Sequence, residues 1–218
     1  MARTPIFHEE KKALIIKAAL AAFSTHGYQG TTNKLIAQEA GKLMGQEGKP
    51  ISPALIYHYF PQGKGELFAA CLQQFPPIQR FGKAIKENME QPPEVFLRVL
   101  ATTYDEVLST EGVLPIIRLI LSEGPLQPEL PKALLGILGP NLLIPMITYF
   151  DRYIRAGKTR ATRPDQISMQ LLAPIFMRRA MVTIFPPDQL PIELSEDVEF
   201  LDTLVQTLLR GLFIEKSL

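Results

Sequence analysis

Cysteine occurs once in this 218-residue chain, at Cys71. A single thiol cannot close an intramolecular disulfide, and such sparing use suits a reducing compartment. Cys71 sits in a Leu/Phe/Ala-rich run, so a buried thiol is expected in place of a reactive one. Histidine is scarce as well. His8, His26 and His58 share no metal-ligand spacing, and neither H-E-x-x-H nor C-x-x-C occurs. Carboxylates are scattered over helix starts and exposed positions, so no acid–base pair stands out. The expectation is a non-enzyme with no cofactor and no bound metal. Net charge is small, formally +1, and by itself announces no polyanionic partner. The longest candidate for a membrane span is taken to be Ile167–Phe185, where Arg178-Arg179 interrupt the apolar run and argue against a crossing. The N-terminus reaches acidic residues and Lys11-Lys12 before any apolar run, unlike a signal peptide. A soluble, cytoplasmic protein with no membrane partner is therefore expected.

What the chain does have is apolar content enough for one large or two smaller domains. Its charge is mildly uneven. Residues 1–74 carry 8 Lys/Arg against 5 Asp/Glu and all three histidines, while the remainder carries 15 against 17. The stretch Ser52-Pro53-Ala54-Leu55-Ile56-Tyr57-His58-Tyr59-Phe60 spells a helix start. Ser52 can cap it, and Pro53 stands where a missing N–H costs nothing. Leu55, Ile56 and Tyr59 supply an apolar side; Ala54, Tyr57 and His58 project elsewhere. Upstream, Thr31-Thr32 through Gly41 reads as another short helix with a Thr cap and a Gly stop. Two short helices in this order, the second showing polar and aromatic groups outward, suggest a helix-turn-helix.

Before them, Thr4-Pro5 or a position nearer His8 opens a first helix. Leu14, Ile15, Ala18, Ala19, Ala22 and Phe23 recur at three- and four-residue spacing, and Gly27 ends it. Taken together, Ala18-Ala19, Phe23, Gly27-Tyr28, Thr31-Thr32, Ile36-Ala37, Ala40-Gly41, Ile56-Tyr57-His58-Tyr59-Phe60-Pro61, Gly63-Lys64 and Leu67 resemble the N-terminal domain of TetR-family transcriptional regulators. That resemblance implies a homodimer whose helix-turn-helix domains bind a double-stranded DNA operator. It also implies a variable C-terminal domain that binds a small-molecule effector. On this reading the DNA contacts come from Tyr57 first, then His58, Thr32, Thr31 and the first turn Ser52, Pro53 and Ala54. Packing of Tyr57 with Tyr59 and Phe60 is the competing reading. Lys64 stands at the start of the next helix, where its ammonium and the free N–H groups can hold a phosphate. The nucleotide-loop spacing G-x-x-x-x-G-K-[ST] is absent there. Arg3 belongs either to a basic arm or to a disordered end.

The chain departs from the family at Lys42–Pro50, nine residues where such proteins turn in a few. Three readings stay open: a neutral surface loop, a phosphate-contacting loop using Lys42 and Lys49, and a lengthened second helix.

Pro76-Pro77 marks a boundary, giving domains 1–75 and 76–218. The second reads as all helix: a linking helix over 78–89, a strong stripe over 95–112, and a short apolar segment Leu114–Leu121 expected to be deeply buried. A long pattern over 129–156 is interrupted by Pro140 and Pro145. Two final helices cover about 164–185 and Ser195 to Phe213. The candidate effector pocket is walled by Tyr104, Ile117, Met146, Tyr149, Phe150, Phe176, Met177 and Met181, with core packing as the plain alternative. Leu201, Leu204, Val205, Leu208 and Leu212 make the last helix too apolar for an exposed chain end, and the resemblance places the dimer interface there. Arg178 and Arg179, inside an apolar helix, are expected to pair with acids across that interface or else to meet an anionic ligand. The fold expectation is all-α: a three-helix helix-turn-helix domain followed by a larger helical ligand-binding and dimerisation domain. A repressor released by an apolar effector follows, or else a helical ligand-binding or scaffold protein whose helix-turn-helix no longer binds DNA.

Overall fold

In the computed structural model, residues 8–45, 50–160, 163–185 and 196–214 are described. Arg3, the Thr4-Pro5 helix start, Lys49 and the Ser195 cap lie outside them. In chain order the helices are α1 (His8–Gly30), α2 (Asn33–Leu43), α3 (Pro53–Tyr59), α4 (Lys64–Gln73), α5 (Pro76–Asn88) and α6 (Pro93–Ser109). There follow α7 (Val113–Glu123), α8 (Glu129–Leu138), a π-helical segment Gly139–Leu143, α9 (Ile144–Arg155), α10 (Pro164–Ile184) and α11 (Asp197–Leu212). Among the described residues there is no β-strand, only an isolated antiparallel bridge between Thr159 and Phe213.

The chain divides into two compact units. The first joins the chain up to Phe75 with Pro115–Ile137; the second joins Pro76–Leu114 with the chain from Leu138 onward. In the first, α1 buries Ile15, Ile16, Ala18, Ala19, Ala22 and Phe23, the three-four spacing that its sequence carries. The rings of Phe23, Tyr28 and Phe68 meet at 5.3–5.8 Å. α4 adds Leu67, Cys71 and Leu72 to the same core. The Cys71 thiol donates to the Ile16 carbonyl at 3.4 Å, and burial pushes its pKa well up, so it is a packing group. Truncating Phe68 here should cost about 3–5 kcal/mol.

Three local readings need correction. Gly41 does not stop α2: it is buried inside the helix, which runs on to Leu43, and the left-handed residue is Gly45 at φ 66°. The Leu114–Leu121 segment is not buried throughout. Ile116, Leu119 and Ile120 are, whereas Leu121 is 65% exposed, because packing against one side of a helix covers only one stripe of a run whose sole polar residue is Arg118. Finally, among the described residues the helix long and apolar enough to cross a membrane by length and composition is Glu129–Arg155, not the run near Ile167–Phe185. Residues 133–150 carry no charge; within this run the α-helix is interrupted as its prolines predict, by the π-helical segment that contains Pro140, and Pro145 stands in the first turn of α9.

In the second unit α6 is the central helix, packed against α5, α10 and α11. Phe96 stacks on Tyr149 with centroids 3.6 Å apart, and the Tyr149 hydroxyl donates to the Gln91 carbonyl at 2.7 Å. Gly82 allows α5 to approach the π-helical segment, since a Cβ there would stand 3.3 Å from the Asn141 carbonyl oxygen. The buried Asp105 of α6 accepts two bonds from Arg179 of α10, so the charged pair is satisfied where it is desolvated.

Candidate functional site

The helix-turn-helix is assembled from both ends of α2. At its start, Thr32 takes an extended conformation and its hydroxyl accepts the Leu35 amide at 3.2 Å. That cap fixes where α2 begins. At its far end the chain turns at Met44–Gly45, with Met44 buried. It returns so that the Ile51 amide donates to the Ala37 carbonyl at 3.0 Å and the Ile51 side chain is buried. Ser52 then caps α3 by accepting the Ala54 amide at 3.3 Å, with Pro53 at the first helical position.

α3 rests on Ile56, which is 2% exposed, and on half-buried Leu55 and Tyr59. Ser52, Pro53, Ala54, Tyr57 and His58 are all exposed, Tyr57 at 54%. The Tyr57 ring is thus not packed away against Tyr59 and Phe60. Tyr59 is held by a bond from its hydroxyl to the His8 carbonyl at 3.1 Å, which ties the first turn of α1 to α3. The imidazoles of His8 and His58 meet edge-on at 6.1 Å beside it.

Other candidates behave differently. Thr31 is buried, and its hydroxyl donates to the Gly27 carbonyl at 2.6 Å. Lys64, expected to face solvent, is half-buried. Its ammonium donates to the carbonyls of Tyr28 (2.7 Å) and Thr31 (3.2 Å) and lies 4.3 Å from the Tyr28 ring centre. Burial lowers its pKa, while the Glu123 and Glu129 carboxylates oppose that shift. Lys64 is a clamp on the α1–α2 turn. Lys42 is exposed but already ion-paired with Glu39 at 2.7 Å.

Of the pocket candidates, Tyr149 and Phe150 meet edge-on at 5.4 Å. Met146, Tyr149 and Phe150 are fully buried core residues, and Met177 is 57% exposed on α10. Tyr104 is stacked on Phe81 at 5.3 Å, and desolvation pushes its phenol up to about 12. Ile117 belongs to the first unit and the other seven to the second. The dimer candidates also divide. Val205 and Leu208 are buried in their own protomer, leaving Leu201, Leu204 and Leu212 half-exposed. Arg178 pairs with Asp197 of its own chain and lies against Phe200, so the acid expected from a partner is supplied internally. Exposed apolar side chains on these helices are Met169 and Met177 of α10 and Val198 of α11.

One residue of this region escapes the sequence reading. Glu123, the last residue of α7, accepts the Tyr28 amide at 3.0 Å and the Gln29 amide at 2.8 Å. A carboxylate at a helix C-terminus opposes the helix dipole. That misfit was the available signal that it serves something outside its own helix.

With this geometry in view, residues 15–71 match the family of bacterial regulatory proteins described as the tetR family. No curated protein matches the chain. Solved structures share the fold over nearly the whole length. A candidate TetR-family transcriptional regulator of Mesorhizobium loti superposes at a TM-score of 0.70 and 22% identity, covering 94% of this chain and 98% of its own. FadR of Bacillus subtilis, solved with stearoyl-CoA, gives 0.63 at 16% identity, covering 91% and 98%. NalD of Pseudomonas aeruginosa, the secondary repressor of the MexAB-OprM multidrug efflux pump, gives 0.63 at 20% identity, covering 95% and 98%. The chain has the TetR-like fold, with an N-terminal helix-turn-helix domain and a helical C-terminal domain.

Proposed function

We propose that this chain, with its tetR-type segment 15–71 and TetR-like fold, is a homodimeric DNA-binding transcriptional regulator. It represses from a palindromic operator and lets go when a small apolar effector binds the C-terminal domain. The observation that carries the reading is the division of α3 into a buried anchor, Ile56, and an exposed face of Ala54, Tyr57 and His58. A seven-residue helix that spends its polar and aromatic groups on solvent is suited to a groove. Few of those groups can read base edges, so much of the affinity comes from phosphates and falls as salt rises. The proteins of like fold include a repressor and a regulator solved with a fatty acyl thioester, which supports a repressor role and an apolar effector. The bond between Ile51 and Ala37 counts against a helix-turn-helix disabled by its insertion, because it seats α3 on α2 regardless of the residues between. Half-exposed Leu201, Leu204 and Leu212, with Met169, Met177 and Val198, supply apolar surface for a second copy.

The test is selection of bound sequences from random DNA by the full chain, followed by a compound screen for release. Enrichment of a palindrome, and its release by apolar compounds, is the expected outcome. No enrichment at any salt concentration contradicts the reading.

A further inference from the structure

The turn Gly27–Thr31 is gripped from two sides by side chains distant in sequence. On its N–H side, the Glu123 carboxylate of α7 takes the amides of Tyr28 and Gln29. On its C=O side, the Lys64 ammonium of α4 takes the carbonyls of Tyr28 and Thr31. The turn is shaped for this. Gly27 adopts φ 72° and ψ 178°, a conformation open essentially to glycine, and a Cβ there would fall 2.5 Å from Glu123 Oε1. The break ends the long first part of α1 and leaves the next amides without partners in their own helix. Glu123 supplies those partners from another element.

The acid is itself held in place. Its backbone carbonyl accepts the amides of Leu126 (3.0 Å) and Gln127 (2.9 Å), so one residue closes the turn after α7 and the turn before α2. The gripped turn then runs through Thr31, bonded back to Gly27, into the Thr32 cap that sets the start of α2. Charge-assisted bonds of this kind are short and directional, and their loss is felt as a change of orientation as well as of energy.

We infer that Glu123 is a positioning residue for operator binding: its carboxylate, opposite Lys64, fixes the Gly27–Thr31 turn and through it the orientation of α2 and α3. The inference rests on the DNA-binding reading above and names the element that positions that surface. α7 is thereby a working part of the reader, although it contributes no group to the exposed face of α3.

The experiment compares the full-length wild type with Glu123→Gln and Glu123→Ala. Gln keeps the shape but offers a single acceptor oxygen, so it serves if the Ala variant does not fold. The first readout needs no DNA: amide resonances of the free protein. Changes should reach beyond Tyr28 and Gln29 through α2 and α3. The second is affinity for the selected operator, well below the unfolding midpoint of every variant. It should fall at least tenfold for Ala and by less for Gln, with the salt slope unchanged, because no phosphate contact is lost. Amide changes confined to Tyr28 and Gln29, or unchanged affinity, overturn the inference in favour of a local stabilising bond. A reduced salt slope overturns it in favour of an indirect effect on a phosphate contact. A wild type that binds no DNA overturns the regulator reading instead. In that event the amide pattern alone decides whether Glu123 positions α2 and α3, which holds if the changes extend through α3 and fails if they stop at Gln29.

Discussion

The Ile51 amide donates to the Ala37 carbonyl at 3.0 Å across the connection of this helix-turn-helix, whose first two extra residues, Lys42 and Leu43, belong to α2. Ala37 lies within α2, so the bond joins the start of the reading helix to the middle of its supporting helix. Buried Met44 anchors the outgoing side of the same connection.

Residues 46–49 should therefore be replaceable. Exchanging them for four Gly/Ser residues keeps the length and removes Lys49. Operator affinity should stay within about tenfold, or about 1.4 kcal/mol. The salt slope should not change, whereas a fall of about one unit would assign Lys49 to a phosphate.

Gly27→Ala probes the turn directly. The backbone conformation and the contact with Glu123 both oppose a side chain there. A loss of about 1–3 kcal/mol is expected. In a chain of this size that lowers the unfolding midpoint by roughly 2–4 °C per kcal/mol. A midpoint within 1 °C or so of wild type would show that the turn adjusts freely.

The helices were largely legible from their punctuation. Ser52-Pro53, Thr32 and Gly27 mark ends that the structure keeps, because caps and left-handed residues act locally. Gly41 misled because burial and helical neighbours override a weak stop. The exposed face of α3 was readable from periodicity alone. Lys64 was not, since nothing in its flanks tells that two carbonyls 33 and 36 residues upstream lie within reach. Glu123 was missed for the same reason at greater range. Arg178 was assigned to a partner's acid because its actual partner, Asp197, begins the following helix.

The assignment of surfaces on the last two helices gives a paired prediction. Met169→Glu with Met177→Glu should yield soluble monomers of unchanged helicity, as both side chains are exposed in the protomer. Leu208→Glu should unfold the protomer itself, because Leu208 is only 7% exposed and a buried lone carboxylate is costly. Light scattering and circular dichroism separate the two. A stable dimer from the double Met variant would move the interface elsewhere.

Acid should weaken the second unit at a definable place. Burial alone would raise the Asp197 pKa, but hydrogen bonds from Arg178 and Arg179 outweigh it and hold the carboxyl below its ordinary value of 3.8. A depressed folded-state pKa contributes stability above the unfolded value that disappears as pH falls through the folded one. Wild type should thus lose stability below about pH 4, and Asp197→Asn should lose less over that window while being weaker at neutral pH. Denaturant midpoints from pH 7 to pH 2.5 measure this. Parallel profiles for the two proteins would remove Asp197 from the account.

The central claim is that α3 reads DNA, and the most direct measurement is the affinity of the full chain for a selected palindrome against unrelated DNA of equal length. The ratio should be at least about a thousandfold. Tyr57→Ala should reduce specific affinity by roughly tenfold or more, about 1.4 kcal/mol, with an unchanged melting temperature, since the ring is 54% exposed in the free protein. Equal affinity for both DNAs, or a Tyr57→Ala variant that still discriminates as wild type does, would contradict it.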